Sequence, residues 1–162
     1  MSSRHTWVTV LLLGFLVISG CGGDDRARGV FNGQAFELNI EDVNCIAGPP
    51  SGPAVAGFDG ILTAPVYCDV LFRTPGYFGD YLNLTVYDIR QVHSQLGAWM
   101  PLGGGVEAYL TMQGVPQPIL YGQVRFTEIS NVSGNNICSD YQITTGAGGV
   151  EGSFCEKLRL GY

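Results

Sequence analysis

The sequence is poor in charge, and above all in positive charge. Only 14% of its 162 residues are charged, and the 8 basic residues are outnumbered by 14 acidic ones. Lys157 is the single lysine. Domains that bind nucleic acid carry clustered lysine and arginine. A net charge of −6 therefore argues against a nucleic-acid partner.

Residues that commonly carry catalysis are also scarce. The chain has 2 histidines, and only His93 lies beyond the N-terminal segment. Serine nucleophiles need a base held by an acid, and no Gly-x-Ser-x-Gly motif occurs. Zinc sites take about four His, Cys or acidic ligands, which one histidine and oxidised cysteines do not supply. We predict no catalytic residue, no metal and no cofactor, and a protein that is not an enzyme. A small hydrolase using paired carboxylates is the alternative.

The first twenty residues are predicted to be a cleavable secretory signal. A basic start containing Arg4 precedes an apolar run over residues 6–18, which ends in small residues. This run is shorter than the roughly 20 apolar residues that a transmembrane helix needs. The segment is therefore left out of the fold prediction.

The end of this segment carries a more specific motif. Ile18, Ser19, Gly20 and Cys21 form a branched apolar residue, two small residues and a cysteine. This pattern resembles the lipobox of bacterial lipoproteins. The resemblance implies cleavage before Cys21 and acyl chains on its thiol, which would hold the protein on a membrane. Gly22 stands where the family uses Asp for retention in the inner membrane. The resemblance therefore implies an exported protein of the cell envelope, on the outer membrane if the organism has one.

Four cysteines remain after Cys21, an even number that predicts two disulfides in an exported domain. A two-residue turn at Gly146–Ala147 would place Cys138 opposite Cys155 on neighbouring strands. That register also puts Tyr141 and Phe154 together on an apolar face. Four cysteines permit three connectivities, and the favoured one pairs Cys138 with Cys155 and Cys45 with Cys68.

The remaining sequence alternates short apolar stretches with turn residues, which is typical of an all-β fold. Residues 21–28 are predicted to be the lipidated cysteine and a flexible tether, and residues 29–162 a single β domain. We expect one small antiparallel β-sandwich, with a closed β-barrel as the alternative. Asn32–Gly33 predicts a hairpin turn. Further strands are predicted near residues 36–45, 57–63, 66–73, 81–90, 106–112, 119–129, 137–144 and 149–158.

Aromatic residues in presumed loops are the candidate binding residues. Tyr77, Phe78 and Tyr81 lie in a glycine-rich segment predicted to turn, and Trp99 lies in a second loop. Aromatic rings in loops can stack on sugars or anchor a protein partner. The alternative interpretation is that these rings cap the ends of the β core.

The expected function is therefore a non-enzymatic binding or structural role. The partner would be an envelope protein or a glycan. Gly152, Ser153 and Phe154 also resemble a final strand of uncharacterised small secreted β lipoproteins, a likeness that implies no activity. Hydrolysis of an envelope polysaccharide through carboxylates remains the alternative function.

Overall fold

The structure is a computed structural model. It describes residues 25–47, 55–57, 60–62, 66–74, 76–130 and 134–161. The predicted signal segment, Cys21 and the first part of the predicted tether lie outside these ranges. Among the described residues, no helix is long and apolar enough to span a membrane.

The described residues form strands and one short helix, α1 (Ile89–His93). The strands are β1 (Arg26–Phe31), β2 (Gln34–Ala47), β3 (Val55–Gly57), β4 (Gly60–Leu62), β5 (Val66–Thr74), β6 (Tyr77–Val86), β7 (Met100–Pro101), β8 (Val106–Met112), β9 (Val115–Gln117), β10 (Ile119–Glu128), β11 (Asn136–Thr145), β12 (Gly148–Lys157) and β13 (Leu160–Gly161). The all-β prediction is confirmed.

One sheet contains every strand except β3 and β4, which pair only with each other. Its order is β7-β10-β11-β12-β1-β2-β5-β6-β8-β9, and β13 adds a short parallel pairing to β2. The N-terminal hairpin β1–β2 thus joins two antiparallel meanders, because β1 pairs with the C-terminal strand β12. Hydrogen bonding therefore runs without interruption from one half of the fold to the other.

The sheet curls around a single core but is not closed. Phe72 of β5 packs against Tyr141 of β11 and Phe154 of β12, with ring centroids 5.4 and 6.1 Å apart. These strands are separated by β1 and β2 in the sheet, so opposite walls face each other as in a sandwich. Pro118 alone separates β9, which pairs with β8, from β10, which pairs with β11. Proline lacks the N–H that would continue a ladder. The described strand pairings therefore leave a seam between β8 and β10.

Alternation along the strands decides what enters the core. In β5 the inward positions Val66, Cys68, Val70 and Phe72 are buried, whereas the residues between them are only half-buried. Side chains in a strand point alternately to the two faces, so each strand gives one set to the core and one to the surface. The surface set of β5 and its neighbours forms the site described below.

Several predicted elements are confirmed. The first hairpin turns at Asn32 and Gly33, which have φ values of 50° and 78°, as a tight turn of this kind requires. Thr145 and Gly148 flank the predicted loop at Gly146–Ala147. The predicted strand near residues 57–63 is instead divided between β3 and β4, which form a small separate hairpin.

Two predictions about polar segments need correction. Arg26, Ala27 and Arg28, assigned to the flexible tether, belong to β1. Ala27 is fully buried, while both arginines form ion pairs with Glu37 of β2 at 3.1 and 2.9 Å. The polar composition of this segment did not predict a strand, because its one inward-facing residue, Ala27, is small.

The segment around Tyr77 is the second correction. It was predicted to be a turn, yet β6 begins at Tyr77, and Gly76 with a φ of 73° lies in the turn before it. Aromatic residues favour strands, and two glycines were too few to prevent pairing with β5 and β8.

Both predicted disulfides are present. Cys45 of β2 bonds to Cys68 of β5, and Cys138 of β11 bonds to Cys155 of β12. In each case the two cysteines are directly opposed on neighbouring antiparallel strands, with Cα atoms 4.1 and 4.0 Å apart. Each disulfide therefore locks the register of one strand pair.

Candidate functional site

The outer surface of β5, β6 and β8 carries a cluster of tyrosines and carboxylates. We call it the tyrosine–carboxylate face. The strand register aligns Asp69 of β5 with Thr85 of β6, and Thr85 with Glu107 of β8. The members of the face are Tyr67, Asp69, Thr85, Tyr87, Glu107 and Tyr109.

Glu107 is the centre of the face. The hydroxyls of Tyr87 and Tyr109 both donate to its Oε2 atom, at 2.6 and 2.5 Å. Both tyrosines are nevertheless well exposed, at 45% and 53%. Their hydroxyls are thus fixed by one carboxylate while their rings remain open to solvent. This arrangement presents aromatic surface in a defined orientation.

Asp69 forms a second, more sheltered centre. Its Oδ1 atom accepts a hydrogen bond of 2.6 Å from the Thr85 hydroxyl, and Thr85 itself is buried. The ring of Tyr67 lies edge-on to the ring of Tyr87, with centroids 6.0 Å apart. Tyr67 therefore connects the two carboxylate centres through aromatic contact.

The protonation states of the face follow from these contacts. The hydrogen bonds from Tyr109 and Tyr87 hold the pKa of Glu107 below its ordinary value. The same carboxylate raises the pKa of both phenols. Burial, and then the hydrogen bond to Asp69, raises the pKa of Tyr67. Glu107 is consequently ionised and the three phenols neutral at ordinary pH.

A groove of about 390 Å³ borders the face at the seam between β8 and β10. This groove is shallow, and its lining includes the apolar residues Leu102, Ala108 and Ile119 and the polar residues Glu107 and Tyr109. Leu102 is held there because its N–H donates to the carbonyl of Gly122 at 3.0 Å, and its side chain covers that glycine. The seam thus places apolar surface beside an ionised carboxylate.

Glu107 is poorly suited to act as the general acid of a hydrolase. Asp69 and Glu107 share a face, and Thr85 on the intervening strand lies between them and donates its hydroxyl hydrogen bond to Asp69. A general acid needs a raised pKa, whereas the pKa of Glu107 is lowered. Glu107 is therefore better suited to accepting hydrogen bonds than to donating a proton.

Glu128, Cys138 and Cys155 bring three potential metal-ligand atoms within 4.8 Å of one another. Both sulfurs are joined in a disulfide, and a metal is bound by thiolates. The oxidised protein therefore cannot use this group to hold a metal ion.

The structure separates the aromatic residues singled out in the sequence. Cys21 lies outside the described residues, as do the side chains of Tyr77 and Phe78, although β6 includes their backbone. Tyr81 lies on β6, opposite Arg73 of β5 and thus beyond the far end of the face.

Trp99 occupies a different part of the surface. It is 39% exposed and lies 5.0 Å from the guanidinium of Arg125 on β10, in a cation–π contact. Arg125 in turn pairs with Asp140 of β11. Trp99 therefore belongs to the outer surface of the β10–β11 half and not to the tyrosine–carboxylate face.

Tyr67, Tyr87 and Tyr109 are not among the site residues that the sequence predicts. The available signal was a polar or acidic residue two positions from a tyrosine, which occurs in β5, at the end of β6 and in β8. A spacing of two places both side chains on one face of a strand. Only the sheet order shows that these three strands are neighbours.

No family model matches the chain, and no curated protein and no solved structure matches it either.

Proposed function

We propose that this chain is a lipid-anchored lipoprotein of the bacterial cell envelope whose β domain binds a ligand without transforming it. The anchor would be acyl chains on Cys21, as the motif Ile18–Cys21 implies. Two disulfides support an exported, oxidising location, because such bonds seldom persist in reducing compartments. Gly22 favours the outer membrane where one exists.

The binding role is carried by one observation: two exposed tyrosine rings are fixed by hydrogen bonds to the same carboxylate. Tyrosines held in this way lose little conformational freedom on binding, so they make good anchors for a partner. The adjoining groove adds apolar surface. An envelope protein and a glycan are the two ligand classes that the sequence favours.

Cross-linking in intact cells tests this function, with the native chain as bait and a Cys21→Ala variant as the mislocalised control. A partner captured by the native chain only, and identified by mass spectrometry, would support an anchored binding protein. Equal soluble behaviour of the two forms would contradict the lipid anchor. Recovery of cleaved polysaccharide fragments would contradict the binding role in favour of the hydrolase.

A pair of matched tyrosine variants tests the surface. Tyr109 in the face and Tyr121 on β10 are similarly exposed, at 53% and 56%. We expect Tyr109→Ser to lose the captured partner and Tyr121→Ser to retain it. The reverse result would place binding elsewhere on the domain.

A further inference from the structure

The tyrosine–carboxylate face carries negative charge that its own residues do not neutralise. Asp69 and Glu107 are acidic, and none of the six residues that define the face is basic. The nearest cation on the outer surface of β5 is Arg73, which pairs with Glu41 at 3.1 Å. A ligand with a positive group would therefore find charge complementarity here that a neutral ligand would not.

The aromatic rings strengthen this preference. The face of a tyrosine ring is electron-rich and attracts ammonium and guanidinium groups within about 6 Å of its centre. Tyr87 and Tyr109 approach Glu107 through their hydroxyls, which leaves their exposed rings on either side of the ionised carboxylate. A cation beside Glu107 would contact both kinds of negative surface.

The groove restricts the shape of such a ligand. Lysine and arginine have an apolar stem and a charged head, and they bury the stem while the head stays polar. Leu102, Ala108 and Ile119 would contact the stem, and Glu107, which also lines the groove, would contact the head. A sugar can stack on a tyrosine ring, but a neutral sugar has neither a flexible apolar stem for the groove nor a positive group for Glu107.

Within the proposed binding function, we propose that the ligand is a basic segment of a partner protein. A lysine or arginine side chain of that segment would occupy the seam groove, with its cationic head between Glu107, Tyr87 and Tyr109. This inference depends on the proposed function and specifies its ligand.

A short peptide with two lysines among glycine and serine residues is the probe, and the same peptide with both lysines acetylated is its neutral control. The protein is the full chain in a nonionic detergent, and the readout is the NMR signals of the tyrosine rings. We expect the lysine peptide to shift the signals of Tyr87 and Tyr109, with an effect that weakens as salt is added. Equal shifts from the acetylated peptide would overturn the inference.

Two variants with the same change in charge test whether the lysine peptide is merely attracted to an acidic protein. Glu107→Gln should weaken binding about tenfold or more, because it removes the charge that the cation contacts. Glu151→Gln, at an exposed position on β12, should change it less than about twofold, because a distant surface charge is screened by salt. Equal weakening by both variants would overturn the inference.

Tyr109→Phe keeps the ring and serves as a second variant that leaves the carboxylate in place. We expect it to bind more tightly than Glu107→Gln, because the charge and the aromatic surface both remain. Binding by Tyr109→Phe that is as weak as by Glu107→Gln would contradict the role given to the charge.

A tetramer of N-acetylglucosamine distinguishes failure of the basic ligand from failure of the binding function. If the sugar shifts Tyr87 and Tyr109 and the lysine peptide does not, the binding function stands and the basic ligand is wrong. If native cells yield no partner on cross-linking, the proposed function itself fails.

Discussion

The two disulfides join strands in the same way, but one lies in the core and the other lies at the outer surface. Each joins directly opposed cysteines of neighbouring antiparallel strands. Cys45 and Cys68 point into the core and are completely buried, whereas Cys138 is 7% exposed and Cys155 is half-buried on the outer surface beside Glu128. One residue of alternation along a strand therefore decides whether a disulfide also serves as core packing.

The same choice affects what each half of the sheet displays. Because the cysteine of β5 takes an inward position, its outer positions are free for Tyr67 and Asp69 of the tyrosine–carboxylate face. On β11 the outward cysteine occupies surface that Asp140 and Gln142 share, where ion pairs and amide contacts dominate. The half that contains β5, β6 and β8 presents aromatic surface, and the half that contains β10, β11 and β12 carries a disulfide at its surface.

Removing each disulfide gives the largest expected effect. Replacing Cys45 and Cys68 by alanine should lower the free energy of unfolding by about 4 kcal/mol, since the unfolded chain gains freedom and the core loses two sulfurs. Replacing Cys138 and Cys155 should cost about 3 kcal/mol, because only the constraint on the unfolded chain is lost. Urea unfolding measures both. A greater loss from the outer pair would break the comparison.

The second-largest effect is expected from glycine substitution, because β12 contains glycines and β5 contains none. A Cβ at Gly152 would lie 2.1 Å from the Arg26 carbonyl oxygen and 2.5 Å from the Tyr141 hydroxyl. We expect Gly152→Ala to destabilise the protein by about 1–3 kcal/mol through overpacking. Gly146→Ala has open space around it and is the control. Thermal unfolding measures the stability of both variants, and equal losses would contradict this explanation.

The order of reduction sharpens the contrast in burial. A thiolate must reach a sulfur atom in line with the bond, so access limits the rate of attack. A dithiol reductant applied to the folded protein should open Cys138–Cys155 before Cys45–Cys68, because both sulfurs of the latter lie in the core. Thiol alkylation followed by peptide mass spectrometry identifies the bond that opens. Simultaneous opening would show that reduction requires global unfolding.

Alkaline titration gives the smallest and most local contrast. The phenol pKa is raised in Tyr87 and Tyr109 by the hydrogen bond to Glu107, but in Tyr141 of β11 by burial. A raised pKa stabilises the folded state below the ordinary value of 10.0, and this contribution is lost as the pH rises through the folded-state pKa. Glu107→Gln should move the first two ionisations toward 10.0 and leave Tyr141 unchanged, as monitored by tyrosinate absorbance. Movement of all three would indicate a change of fold.

Local pattern was enough to predict much of the fold. Asn32–Gly33 set the first hairpin, and the alternation around Tyr141 and Phe154 fixed the register that brings Cys138 to Cys155. These features involve residues close together in the chain, where turn chemistry and a period of two act directly. The strand over Arg26–Arg28 escaped notice because its inward residue, Ala27, is small.

The candidate site could not be read in the same way. Tyr67 and Tyr109 lie on β5 and β8, and Tyr87 directly follows β6. Their convergence requires the order β5-β6-β8 together with the register that aligns Asp69, Thr85 and Glu107. The seam groove likewise exists because the chain changes strand partners around Pro118. The sequence by itself predicted most of the strands, the number of disulfides and the pairing of Cys138 with Cys155, since each is encoded within a short stretch or in the count of cysteines. Only the tertiary structure decided which side chains meet on the surface, because that depends on how strands distant in sequence pair and curl around a common core.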